Sequence, residues 1–140
     1  MAVNLTNSNV ESLQRLEVGI SGPDGANRMY ITTGLARTPF YANANQTTKE
    51  NFKLRVDPPL TASQFRRAIA TAAIADIRFY DYDPATADGI RWAVEEVDAD
   101  FDDENGKVEL RFTLTVSITG SASAAIDAVS FTVTALAEIV

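Results

Sequence analysis

The chain contains no cysteine and no histidine. Without cysteine there is no disulfide framework, zinc–thiolate site, iron–sulfur cluster or thiol nucleophile. Without histidine the commonest general base and transition-metal ligand is missing too, so neither a Ser-His-Asp triad nor a two-histidine zinc site can be assembled. Long apolar runs are also lacking, and no stretch approaches the roughly 20 residues of a membrane-spanning helix. The N-terminal residues Met1 to Asn9 carry no basic or apolar leader pattern, which predicts no signal peptide and synthesis in the cytoplasm. Gly22 and Gly25 lack the lysine and the strand-to-helix context of a phosphate loop and read as turn residues. Only carboxylate, lysine or tyrosine chemistry is left, and the expectation is a protein that is not an enzyme and uses no cofactor.

What is present describes an ordinary folded domain. With 140 residues, 46% of them hydrophobic and 22% charged, the chain fits one domain with its own core. Its net charge of −7 is unevenly placed: residues 76–105 hold eleven acidic and two basic side chains, and the remainder is slightly basic. Nucleic-acid binding calls for a basic stripe, and this chain has an acidic one. Proteins, not nucleic acid or membranes, are the expected partners.

Along the chain, residues 1–11 are polar and read as a flexible N-terminal arm ahead of a single β-rich domain over 12–140. Leu13, Leu16, Val18 and Ile20 lead into the turn signal Gly22-Pro23-Asp24-Gly25, and Met29 and Ile31 follow on one face, which predicts a first hairpin. Residues 34–50 show no period and read as a long loop carrying Phe40 and Tyr41. Phe52, Leu54 and Val56 alternate with Lys53 and Arg55 up to Asp57-Pro58-Pro59. Thr61-Ala62-Ser63-Gln64 has a capping-box pattern, and Phe65, Ile69, Ala72 and Ala73 then share a helical stripe, which predicts one α-helix over 61–75. Residues 77–82 read as a strand. In the next strand Ile90, Trp92 and Val94 have one parity and Val97, Ala99 and Phe101 the other, which predicts a β-bulge at Glu95-Glu96. Asn105-Gly106 is a hairpin signal. Val108 to Ile118 and Val129 to Ala135 alternate cleanly beyond it. The sum is an antiparallel sheet or sandwich of about seven strands, ending in a three-strand meander, with one helix.

Two kinds of side chain are candidates for interaction. Asp98, Asp100 and Asp102 have the Asp-x-Asp-x-Asp spacing that opens an EF-hand calcium loop, but the glycine position is Asp103 and Glu109 falls in a strand pattern. On a strand these three acids share the solvent face, where they discourage edge-to-edge aggregation. Asp81 and Asp83 with Glu95 and Glu96 are the available acids for a glycosidase-like pair, but a surface cluster is the favoured reading of them. Tyr80 and Tyr82 share a parity opposite Ile77 and Phe79, so they are expected to be exposed, as are Phe40 and Tyr41 of the long loop. Exposed tyrosines suit contacts with other proteins.

These features favour a non-catalytic structural or assembly subunit that packs with itself or with other particle proteins. An acidic segment on a slightly basic body suits head-to-tail contacts between copies. The last strand reaches Ile139 and Val140 without a polar tail, as though that end were covered. In general character, and on no particular motif, the chain is similar to small cysteine-free β subunits of phage tails and contractile particles. That likeness implies a ring, tube or shell component and a place in a virion or comparable particle. The alternative is a carbohydrate- or protein-binding β-sandwich module that uses exposed tyrosines or a calcium-dressed acidic edge.

Overall fold

The computed structural model describes residues 2–22 and 25–139. Eight strands form two four-stranded sheets stacked as a sandwich: β1 (Val3–Leu5), β2 (Val10–Gly22), β3 (Gly25–Ala42), β4 (Thr47–Val56), β5 (Phe65–Tyr80), β6 (Gly89–Asp102), β7 (Lys107–Thr119) and β8 (Ser123–Ile139). One sheet has the order β1-β4-β7-β6 and the other β2-β3-β8-β5. All neighbours are antiparallel except β1, which runs parallel to β4.

The alternation read from the sequence generates the core. Phe52, Leu54 and Val56 of β4 and Val108 through Ile118 of β7 meet Val129, Phe131, Val133 and Ala135 of β8 between the sheets. Phe112 is 1% exposed and its ring stacks on Phe52 at 5.5 Å. Phe40 closes the cluster edge-on to Phe52 at 6.0 Å. The expected bulge in β6 is present: Glu96 has φ 53 and the β6–β7 register shifts between Glu95 and Asp98. The first hairpin also forms, pairing β2 with β3 down to Gly22 opposite Gly25. Pro23 and Asp24 of its turn lie outside the described residues, as does Val140.

The α-helix expected over 61–75 does not form, and among the described residues there is no α-helix at all. The capping box itself is real. The Thr61 N–H donates to Gln64 Oε1 at 2.9 Å, and the Gln64 N–H donates to Thr61 Oγ1 at 3.3 Å. It closes a single turn, after which β5 begins at Phe65 and continues through the separately expected strand at 77–82. An alanine-rich run fits period 3.6 and period 2 equally well, so its neighbours decide. Here Ala68, Ala70, Ala72 and Ile74 face inward against β8, and Ile69, Thr71 and Ala73 face outward.

Three further expectations are revised. The long loop over 34–50 is mostly strand, because β3 runs to Ala42 and β4 starts at Thr47, leaving a turn of residues 43–46. The C-terminal meander is broken: β6 and β7 form a hairpin, but β8 crosses to the other sheet and inserts between β3 and β5. Alternating strands joined by a glycine turn look alike in sequence whether the turn makes a hairpin or an arch over the sandwich. Finally, residues 3–5 of the polar N-terminal segment pair with β4, with Leu5 buried at the core margin.

The connections lock to one another at one end. The Asn45 N–H donates to the Gly120 carbonyl at 3.1 Å, and the Gly120 N–H donates to Asn45 Oδ1 at 2.9 Å. The Asp88 carboxylate accepts from the Asp83 N–H, Thr86 Oγ1, Ser121 N–H and Ser121 Oγ over 2.9–3.3 Å, tying residues 81–88 to the β7–β8 turn. These bonds, first of all that from the Asp83 N–H, hold the Asp88 carboxyl below the usual carboxylate range.

Candidate interaction surfaces

The two outer faces of the sandwich differ sharply in chemistry. On the β1-β4-β7-β6 sheet, register aligns Lys53, Arg111 and Asp98 in one row and Arg55, Glu109 and Asp100 in the next. Glu109 is buried beneath its neighbours, with carboxylate oxygens 2.8 Å from Arg111 Nε, 3.7 Å from Arg55 Nε and 3.8 Å from Lys53 Nζ. Asp102 accepts from Arg55 Nε at 2.9 Å and from Asn105 Nδ2 at 2.6 Å, and these two bonds depress its pKa. Asp98 and Asp100 are exposed. The three acids therefore share the outer face as their alternation requires, within a lattice where Lys53, Arg55, Lys107 and Arg111 offset their charge. Among the described residues no three carboxylates gather as a metal-binding group.

The outer face of the β2-β3-β8-β5 sheet carries an apolar stripe beside a row of Gln14, Thr33, Thr132 and Thr71. Register places Leu16, Ile31, Thr134 and Ile69 in one row across all four strands, and Val18, Met29, Leu136 and Arg67 in the next. Leu16 is 59% exposed and Ile69 62%. The positions of β2 and β3 that face the other way are Arg15, Glu17 and Gly19, and Arg28, Tyr30, Thr32 and Gly34. The hairpin thus turns its apolar stripe away from the core. Sequence reading found that stripe but had no means of seeing which way it points.

Tyr41 and Tyr80 lie at the other end of this same face. Tyr41 aligns with Ala125 and Arg78 in one row and is 62% exposed; Tyr80 aligns with Ser123 in the next. Arg78 joins them: it ion-pairs with Asp127, its Nη1 donates to the Tyr80 hydroxyl at 2.8 Å, and its guanidinium lies 5.8 Å from the Tyr80 ring centre. Phe40, expected to be exposed beside Tyr41, faces inward and is 9% exposed, because both residues are on a strand and alternate.

Tyr82 belongs to a separate feature. Asp81, with φ 56, turns the chain so that the Tyr82 ring meets Phe79 edge-on at 6.1 Å, and Phe79 lies 6.3 Å from Trp92. Phe79, Tyr82, Ile90 and Trp92 line a cleft of about 180 Å³ where the β5 and β6 edges meet. Trp92 Nε1 is buried and has no hydrogen-bond partner among the described residues. Glu109 and Asp88, the buried acids among the described residues, were not singled out as candidates from sequence; a strand glutamate in strict alternation gives no sign that cations will cover it.

Among the described residues no helix is long and apolar enough to cross a membrane. The chain matches no protein-family model, no curated protein and no solved structure.

Proposed function

We propose that the protein is a non-catalytic structural subunit that assembles with copies of itself, and with other particle proteins, into a multi-copy ring, tube or shell like those of phage tails and contractile particles. The observation that carries this reading is the inverted parity of the β2–β3 hairpin. Strand register places an apolar stripe toward whatever buries it. Here the stripe of Leu16, Val18, Met29 and Ile31 points out of the domain and continues through Leu136 and Ile69. Leu16 and Ile69 are exposed and the rest of the stripe is half-buried, and an apolar stripe on an outer face is the kind of surface that serves as an interaction site. A non-catalytic role is supported by the saturation of the two buried acids, Asp88 by four donors and Glu109 by three cations. Leu16→Lys and Met29→Lys test the reading: each should melt like the wild type and show a lower mass in solution. Variants that keep the wild-type mass would count against it.

A binding-module reading has one observation in its favour, the aromatic cleft around Trp92. An aromatic floor suits a ligand with an apolar face, such as a sugar ring. Trp92 is the only tryptophan, so its fluorescence reports directly on the cleft. Titration with a glycan panel, with and without calcium, should give a saturable spectral shift if this reading holds. An unchanged spectrum across the panel would remove it.

A further inference from the structure

We infer that β5 is a dimerisation edge, pairing antiparallel with β5 of a second copy about a two-fold axis beside Thr71. This inference rests on the assembly reading above and assigns it a second surface, the sheet edge in addition to the sheet face.

β5 is the last strand of its sheet, and among the described residues it hydrogen-bonds as a strand to β8 alone. Its outer edge presents free backbone donors and acceptors, a template for another strand. Soluble proteins normally blunt such an edge with bulges, prolines or charges. The opposite edge of the sheet has those defences: β2 is interrupted between Glu11 and Gln14, where Ser12 has φ 53, and it carries Glu11, Arg15 and Glu17. The edge of the other sheet, β6, has the Glu95/Asp98 bulge and the acidic run. β5 has register shifts of its own, between Phe65 and Arg67 and on either side of Asp76, but its middle differs from both. Its register with β8 is regular from Arg67 to Ile74, and residues 68–75 contain no charge and no proline.

The sequence of β5 also selects the partner and the register. In a two-fold antiparallel pair, one residue must lie opposite its own copy. With Thr71 at the centre, Ile69 faces Ala73, Ala70 faces Ala72 and Ala68 faces Ile74, so every large side chain meets a small one. The same register sets Thr71 opposite Thr71, a favourable cross-strand pair. Centring on Ala72 would set each Thr71 against Ala73, and centring on Ala70 would set it against Ile69.

The absence of native cysteine gives a direct test. In Thr71→Cys the new thiol is the only one, so any disulfide joins residue 71 of two copies. Residues directly opposite in an antiparallel ladder have Cα atoms about 4.5–5.5 Å apart, within disulfide reach. Under mild oxidation Thr71→Cys should form covalent dimer at least about tenfold faster than Glu104→Cys, an exposed control on the β6–β7 turn. Thr71→Lys and Thr71→Glu should each lose the pairing through like-charge contact, and an equimolar mixture should recover it as a mixed dimer. A Thr71→Cys rate no greater than the control, with no recovery on mixing, would overturn the inference. If the wild type is still multimeric in that case, the sheet-face reading stands and the edge assignment alone fails; a monomeric wild type removes both.

Discussion

A Cβ atom on residue 120 would lie 1.8 Å from Oδ1 of Asp88. Gly120 has φ +101, a conformation that strains any other residue, and it leaves the space into which the Asp88 carboxylate reaches to bind Ser121. The pair holds together the two connections that carry the chain between sheets at this end of the sandwich. Gly120→Ala should therefore cost about 2–4 kcal/mol, from strain and steric conflict together. Adding Asp88→Ala to Gly120→Ala should recover the steric part and leave the strain, a non-additivity measurable by denaturant unfolding. Strict additivity would mean the two residues do not share this space.

Asp88 also sets an acid limit on stability. Its folded-state pKa lies below the ordinary 3.8, so the unfolded chain binds its proton first as pH falls. The stability contributed by Asp88 is complete above the unfolded pKa and is lost as pH drops below about 4 and through the folded value. Melting curves from pH 5 to pH 2.5 should show a steeper decline for the wild type than for Asp88→Asn, with the two converging at the acid end. Parallel curves would show that this carboxylate is not a contributor.

Glu109→Gln should destabilise the domain by about 1–3 kcal/mol, since it leaves Lys53, Arg55 and Arg111 crowded around a neutral group. Asp100→Asn, on the same face but exposed, should change stability by less than about 0.5 kcal/mol. Equal effects for both, read from urea midpoints, would contradict the burial of Glu109.

Phe112→Asp places a charge in the centre of the core and should abolish cooperative folding. A soluble variant with a sharp melting transition would overturn the parity of β7.

The strands that sequence revealed well are those with one chemistry on each face, such as β7 and the bulged β6. What it obscured follows from three physical circumstances. Residues 65–75 are mostly alanine, which takes either period, and the capping box at Thr61 and Gln64 forms equally well in an isolated turn. Four successive inward positions of β3, Thr32, Gly34, Ala36 and Thr38, are polar or small, so the strand lacked contrast ahead of the inward Phe40 and its second half looked like loop. The apolar stripe of Leu16, Val18, Met29 and Ile31 was visible, but a pattern specifies which residues share a face and not what that face meets. The same limit applies to the candidate residues. Tyr41 and Tyr80 were correctly placed at the surface, whereas Phe40 was assigned to a loop and is in the core.

The central claim is that the apolar stripe on the outer face of the β2-β3-β8-β5 sheet is covered by further subunits. Light scattering coupled to size exclusion, at low and high salt, tests it most directly. The account predicts a discrete multiple of 15.2 kDa that persists at high salt, because apolar contacts are not screened as exposed charges are. A 15.2 kDa species at every concentration and salt would contradict it.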